Sequence, residues 1–298
     1  MGIRDLNRYI SDHCSKRAIR RKPLLVLRNK TIVIDTSIYL YKYATHDTLE
    51  TGFRAMLKSF KTYNITPIFV FDGKAPVEKQ ALLKERSRMK KEAEKEYDQI
   101  QETLINQASL DERVVLEKRL ESLKAQIIRI RPMDISAIKS LFDESHIQYE
   151  MATGEADRLC ASMVLDGTAW ACLSDDMDMF VYGCPRILRH LSLHNQTVLF
   201  YDLDQILKEL DLSKKEFREI AVISGTDYHE KKNTMNVNVN LYETLKWFAE
   251  YKKEVVSKGL QNIGFYDWLM KHTKYITDFG SLQRIYSMFC FEPSSVIE

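Results

Sequence analysis

Two short β-branched runs, 31–35 (TIVID) and 66–72 (TPIFVFD), each end in an aspartate. They read as buried strands. Residues 147–151, 168–174 and 197–201 look like further strands, and helical patterns at 37–62, 133–145 and 155–166 lie among them. Strand–helix alternation of this kind predicts an α/β fold, a mostly parallel central sheet flanked by helices on both faces. Such sheets bind ligands beyond the carboxyl ends of their strands, where Asp35, Asp72 and the Asp176/Asp178 pair fall.

Residues 77–131 break the rhythm. They hold no Gly or Pro and are dense in Lys, Arg, Glu, Gln and Leu, which predicts two helices with a turn near Ser109-Leu110-Asp111. Apolar residues are too sparse there to build a core, so the segment reads as a helical insertion projecting from the sheet. A hairpin serving only as a partner surface is the competing reading. An amphipathic pattern follows at 203–225, then an Asn-rich stretch at 233–240. A helix is expected from about Leu241 to Glu254 with Tyr242, Leu245, Phe248 and Ala249 on one face, and small packed helices to the end.

Seven acids, Asp35, Asp72, Glu155, Asp157, Asp176, Asp178 and Asp227, fall at strand ends or helix termini. A carboxylate at the edge of an apolar core costs stability unless something offsets it. Seven of them point to a shared cationic partner, and oxygen donors without His or Cys suit a hard divalent cation such as Mg²⁺. Glu155 and Asp157 are two apart, so both reach one ion only if Glu155 sits at a helix start, after Thr153-Gly154. Asp176 and Asp178, read as extended chain, point the same way. Solvated turn acids account for one such pair, but poorly for two pairs plus two strand-end aspartates. The chemistry implied is metal-dependent work on phosphate esters. A haloacid-dehalogenase-type phosphatase also opens on a strand-end aspartate, but it needs a second one where Ser37 stands.

Net charge is only +2, yet it is unevenly spread. Residues 16–30 carry Lys16, Arg17, Arg20, Arg21, Lys22, Arg28 and Lys30 with no acid, and 79–91 carry Lys79, Lys84, Arg86, Arg88, Lys90 and Lys91 against Glu85 alone. Either run alone reads as a solvated helix face. Both beside an acidic constellation favour a polyanionic substrate. The 5 cysteines show no C-x-x-C spacing and the 7 histidines no zinc pairing, so the thiols read as buried hydrophobes in a reducing, intracellular setting. No apolar run reaches membrane-spanning length and MGIRDLNRY lacks a signal-peptide core, so no membrane partner is expected.

MGI at the start, VIDTSIYLY, FVFDGKAP followed by LKERSR, GEADRLCASMV, SDDMDMFVYG with RILRHL, and ISGTDY occur in one order. In that order they resemble the XPG-type flap endonuclease family of structure-specific 5′ nucleases. The resemblance implies a PIN-like nuclease core over 1–228, with 77–131 as a helical arch or gateway. It implies a helical C-terminal region over 229–298 containing a divergent helix-hairpin-helix-like segment. The implied activity is hydrolysis of DNA at 5′ flaps or related branched structures, with two Mg²⁺ ions for which Mn²⁺ can substitute. A 5′→3′ exonuclease, an RNA-directed nuclease of the same fold and an inactive nucleic-acid-binding scaffold are the rival readings.

By the same resemblance the seven acids match metal ligands, and Lys79, Arg86 and Asp178 match catalytic positions. Lys79 and Arg86 also match substrate contacts at the foot of the arch, Tyr41 an aromatic on which a base stacks, and Gly2 an N-terminus folded beside the active site. The implied partner is DNA with a free 5′ end, met by a monomer in the nucleus or another place of DNA replication. Three departures stand out. Asp157 replaces a Glu common in flap endonucleases. No glycine lies between Asp227 and Gly259, so the family's Gly-x-Gly hairpin corresponds to Thr234-Met235-Asn236. The sequence ends at Glu298 without the family's tail, so sliding-clamp binding is not expected.

Overall fold

The computed structural model describes residues 3–45, 48–106, 110–228, 240–258, 263–276 and 278–291. Its centre is a seven-stranded sheet built from β1 (Ile19–Pro23), β2 (Thr31–Asp35), β3 (Thr66–Phe71), β4 (Gln148–Met151), β5 (Ala171–Leu173), β6 (Arg186–Ser192) and β7 (Thr197–Asp202), in the order β1-β7-β6-β5-β2-β3-β4. β4, β3, β2, β5 and β6 run parallel, while β7 is antiparallel to both β6 and β1.

Alternation along the strands divides the apolar residues between two cores. Val33, Ile68, Val70 and Cys172 face one side, packed by helices Leu6–His13, Ala156–Leu165 and Lys214–Ile223. Helices Leu241–Lys258, Phe265–His272 and Phe279–Met288 pack into that same core through Phe248, Phe265, Leu269, Leu282 and Phe289. Ile32, Ile34, Phe69, Phe71 and Leu173 face the other side, under helices Thr36–Ala44, Leu49–Thr62 and Pro132–Glu144. The β2–β3 connection therefore passes over one face and the β4–β5 connection over the other. A crevice opens where they diverge, at the carboxyl ends of β2 and β5.

Several expectations change. The helix expected over 37–62 is two, Thr36–Ala44 and Leu49–Thr62. Between them the Thr45 and Thr48 hydroxyls donate to the carbonyls of Tyr41 and Tyr43, offering the backbone an alternative to helix continuation. Within 203–225 there are likewise two helices, Leu203–Glu209 and Lys214–Ile223, the second begun by a Ser213/Glu216 capping box. The basic run 16–30 holds no helix face: it contains edge strand β1 and a short turn of 3₁₀-helix, Leu24–Leu27. Strand β6 was not expected, because Arg186, Arg189 and His190 interrupt its apolar pattern. In helix Leu241–Lys258 the buried face carries Leu241, Thr244 and Phe248, while Tyr242 and Ala249 are exposed.

The arch is two long helices, Gln80–Asn106 and Leu110–Ile127. Of the expected turn, Ser109 lies outside the described residues, as do Thr234, Met235 and Asn236 of the Asn-rich stretch. Ala93 and Leu123 are buried between elements, but charge pairs make most of the specific ties. Arg119 grips Glu96 with two bonds of 2.6 and 2.7 Å, Arg129 meets Glu94 at 2.9 Å, and Lys90 Nζ donates to the Ile128 carbonyl at 2.8 Å. Exposed pairs of this kind contribute roughly 0.2–1 kcal/mol each, so the arch is held far less firmly than the sheet. Among the described residues no helix is long and apolar enough to cross a membrane.

Candidate active site at the carboxyl ends of the strands

Asp35 closes β2 and caps the helix behind it, accepting from the Ser37 amide at 3.1 Å; its other oxygen accepts from Ser174 Oγ at 3.2 Å. Asp72 follows β3. One of its oxygens accepts from Ser37 Oγ at 2.5 Å, and the other from the Ala156 amide at 2.8 Å, which places a carboxylate on the positive end of helix Ala156–Leu165. This approach brings the chain after β3 against residues 152–154. A Cβ on Gly73 would lie 2.0 Å from the Ala152 carbonyl oxygen, so only glycine fits.

Glu155 is the N-cap of that helix, as its spacing to Asp157 demands, and Asp157 lies in the first turn. Asp157 stands close enough to Asp35 for the two carboxyls to act on each other's charge, and its Oδ1 is buried with no partner. Asp176 and Asp178 do not sit in extended chain. Asp176 accepts from the Asp178 amide at 3.0 Å, and Asp178 opens the short helix Asp178–Val181. Both are buried, and Asp178 Oδ1 has no partner. Behind the loop, buried Arg189 bonds the Asp175 carbonyl at 2.8 Å and Asn7 at 2.6 Å, fixing the loop against helix Leu6–His13.

Cations close the basin from the arch side. Lys79 lies in the turn of 3₁₀-helix, Val77–Lys79, and bonds Glu155. Seven residues further, about two helical turns, Arg86 Nη2 donates to Asp227 Oδ2 at 2.7 Å. Tyr228 donates its hydroxyl to the second Glu155 oxygen, stands under Lys79 with its ring centroid 5.0 Å from Nζ, and meets the Tyr182 hydroxyl at 3.3 Å. Tyr41 lies apart from this set. Its ring is 45% exposed, and Lys90 stands over it at 5.1 Å. Gly2 lies outside the described residues.

Electrostatics in the basin are unbalanced. Burial, then the charges of Asp72 and Asp176, push the Asp35 carboxyl up to about 7. Burial, then Asp35, Asp176 and Asp178, hold Asp157 well above the usual carboxylate range; burial, then Asp176 and Asp227, do the same to Asp178. For Lys79 burial opposes the charged form, but Glu155, Asp157 and Asp178 outweigh it and raise the ammonium above its ordinary value. Two buried carboxylate oxygens without donors and an excess of negative charge are what an all-oxygen divalent-cation site looks like from the protein's side. Among the described residues no three His, Cys, Asp or Glu side chains are gathered as a ready-made cage. The reason lies in the contacts above: Glu155 and Asp227 are turned to Lys79 and Arg86, and Asp72 to Ser37 and a helix amide.

Ser37, Ser174, Tyr182, Tyr228 and Lys90 were given no place in the site by sequence reasoning, Ser37 entering only against the phosphatase reading and Lys90 only within a basic run. Ser37 had a readable signal, since a hydroxyl two residues after a capping aspartate can reach a neighbouring strand end. Tyr228 directly follows Asp227, but nothing in the sequence pairs it with Glu155.

A doubly wound sheet with strand-end carboxylates and a helical arch defines a PIN-like nuclease fold. The XPG N-terminal domain model matches residues 1–93 and the XPG I-region model residues 146–227. The chain belongs to this XPG family of structure-specific 5′ nucleases. Flap endonuclease 1 of Methanococcus aeolicus is 29% identical over 254 residues, covering 76% of this chain and 74% of that relative. The matches cover 62% of the Lodderomyces elongisporus and Homo sapiens flap endonucleases, so the chain spans three fifths to three quarters of these relatives. The catalytic core of Rad2, solved with a DNA substrate, superposes with TM-score 0.64 at 21% identity, covering 97% of this chain and 84% of that one. The Holliday junction-resolving enzyme GEN1, solved with product DNA and Mg²⁺, gives TM-score 0.54 at 16% identity over 97% of this chain and 68% of that one.

Proposed function

We propose that the protein cuts DNA phosphodiester bonds at 5′ flaps or related branched structures, using two divalent cations held by Asp35, Asp72, Glu155, Asp157, Asp176, Asp178 and Asp227. The observation that carries this reading is the buried, donorless oxygen pair of Asp157 and Asp178, set beside two cationic side chains on the foot of the arch. The Mg²⁺ in the GEN1 complex and the DNA in the Rad2 complex support it. Mg²⁺ is the natural ion for such hard donors, with Mn²⁺ as a substitute. Bound there, the cations supply Lewis-acid polarisation of the phosphoryl group and acidify water.

The remaining work falls to this chain's side chains. Lys79 stays protonated because the carboxylates around it favour its charged form, so it offers a fixed positive charge to phosphoryl oxygens. Arg86 adds a planar fork suited to phosphate. Lys79 pairs with Glu155 and Arg86 with Asp227; were those carboxylates to hold a metal, the ammonium and guanidinium would be free to face the substrate. Tyr41, exposed at the arch side of helix Thr36–Ala44, offers a ring for a base to stack on. The arch would admit a free 5′ end, and such work belongs where DNA is replicated or repaired.

The test is cleavage of an end-labelled panel (5′ flap, nicked duplex, hairpin, single strand, RNA-primed flap) with and without Mg²⁺. Preferred, Mg²⁺-dependent release of the flap is expected. Exclusive release of mononucleotides from nicked duplex would replace this reading with a 5′→3′ exonuclease, and binding without cleavage of any substrate would leave a scaffold. A bulky protein attached to the flap terminus before mixing should suppress cleavage if the strand threads the arch.

A further inference from the structure

The basic segment 16–30 takes no part in the centre described above, and its placement is specific. Arg20 and Lys22, two apart on β1, share a face of the sheet and stand 5.4 and 3.8 Å from the Phe200 ring centroid. Phe200 is buried and stacks on Trp170, with centroids 5.8 Å apart and planes at 18°. Lys30 and Arg186 stand over Trp170 at 5.6 and 5.4 Å. Four cations thus share one two-ring floor.

Arg186 is tied to the Trp170 carbonyl, but Arg20, Lys22 and Lys30 make no ion pair among the described residues. Asp202, whose charge reaches Lys22, is engaged as the cap of helix Leu203–Glu209. Shielding the rings does not by itself account for the set. A cation over a ring at an exposed site contributes about 0.5–1 kcal/mol, and packing like charges together erodes it. Burial, then Arg20, pull the Lys22 ammonium below its ordinary value. Among the described residues no carboxylate is ion-paired with Arg20, Lys22 or Lys30, so the cluster is a net positive field.

We infer that this face of the β1–β7 edge holds the phosphate backbone of a duplex arm of the substrate, outside the catalytic centre. The inference rests on the nuclease reading for the identity of the substrate. A phosphate strand needs only point charges, and these are what the face presents. A peptide would need apolar pockets or a free strand edge. Phe200 is covered by the cations, the Ile19 amide is already bonded to the Ser15 carbonyl, and Pro23 has no amide to give. β1 lies four strands from β2 in the sheet order, roughly 19 Å at the usual strand spacing, and Lys30 and Trp170 stand at the amino ends of β2 and β5, about 17 Å along the strands from the acids at their carboxyl ends. The combined offset of about 25 Å is about seven base pairs of duplex, so a short arm would stop before it and a longer one could reach it.

The experiment measures binding by fluorescence anisotropy, with Ca²⁺ in place of Mg²⁺. The flaps have hairpin-closed arms of about 5 or about 15 base pairs, each arm lengthened in turn, over a series of salt concentrations. Arg20→Gln/Lys30→Gln is compared with the unaltered protein and with Lys22→Arg, which keeps its charge. In the unaltered protein, lengthening one arm should tighten binding about tenfold or more. Arg20→Gln/Lys30→Gln should lose most of that gain, and the slope of log affinity against log salt should fall by about 2. Lys22→Arg should retain the gain. Equal slopes and equal long-arm affinity in Arg20→Gln/Lys30→Gln would overturn the inference while leaving the nuclease reading intact. A matching loss on short-armed flaps, or a lowered melting temperature, would also overturn it by assigning these residues to the centre or the fold. Loss of the long-arm gain in a protein that cleaves nothing would retain the surface and remove the nuclease reading instead.

Discussion

Arg86 Nη2 donates to Asp227 Oδ2 at 2.7 Å, so a residue of the arch is bonded to an acid of the core basin. The same guanidinium is proposed to meet the scissile phosphate through its other N–H donors or on release from Asp227. Arg86→Ala should lower the single-turnover cleavage rate on the order of a hundredfold with little change in flap affinity. Unchanged rates at saturating enzyme would make the arch a partner surface only.

Asp178 should trade stability for activity. Its carboxylate is buried with one oxygen lacking a donor. Asp178→Asn keeps the shape and removes the charge, so cleavage should fall by about 10²- to 10³-fold or more. In chelator the variant should be more stable than the parent by about 1–2 kcal/mol. Denaturant melts in EDTA check the second half. A destabilised variant would mean the charge is satisfied in the cation-free fold.

The raised Asp35 carboxyl gives a pH dependence with a definite sign. Its value in the folded chain is about 7 against an ordinary 3.8, so between these the native state binds more protons than the unfolded one. Stability of the cation-free protein should therefore decline as pH rises from about 4 to about 7. Mg²⁺ competes with those protons, so its stabilising effect should be large at about pH 8 and small at about pH 5. Thermal melts with EDTA or Mg²⁺ at both values measure this. Equal stabilisation at the two would show that the cation does not bind the titrating carboxylates.

Tyr228 should act through Glu155. Tyr228→Phe removes the hydroxyl that Glu155 accepts and also the partner of the Tyr182 hydroxyl. The loss of a buried bond to a charged group is worth about 1.5–3 kcal/mol. Expected effects are a raised Mg²⁺ midpoint, seen both in cleavage and in direct calorimetric titration, and a rate at saturating Mg²⁺ that recovers to within about tenfold. A lowered rate at every Mg²⁺ concentration with an unchanged calorimetric midpoint would contradict a role in orienting the ligand.

Much of this molecule is local in origin. TIVID and TPIFVFD form strands because they are rich in β-branched and aromatic residues and apolar on both faces, and the aspartate that ends each run is where the apolar pattern stops, Asp35 still buried and Asp72 exposed. Glu155 had to be a helix cap for its spacing to Asp157 to make sense, and Thr153-Gly154 announces that start. Other parts were not legible because they depend on neighbours far along the chain. β1 and β6 carry charges that read as surface, and pairing with β7, for β6 also with β5, makes them strands. The division of helix Thr36–Ala44 from Leu49–Thr62 is local, made by threonine hydroxyls that reach carbonyls four and five residues back, but nothing in the apolar pattern announces it.

The seven acids could be picked out as a set from the sequence, since element ends fall where the apolar pattern stops, while Lys79 and Arg86 were assigned to the site by the family resemblance. Tertiary structure decided which partner each one meets: Asp72 with Ser37 and a helix amide, Glu155 with Lys79 and Tyr228, Asp227 with Arg86. It also decided that Asp157 and Asp178 are left with oxygens no donor reaches. The physical reason is range. Strand and helix pattern follow from contacts a few residues apart, whereas burial and hydrogen-bond satisfaction depend on groups tens to more than a hundred residues away. Those groups meet only when the sheet closes around them.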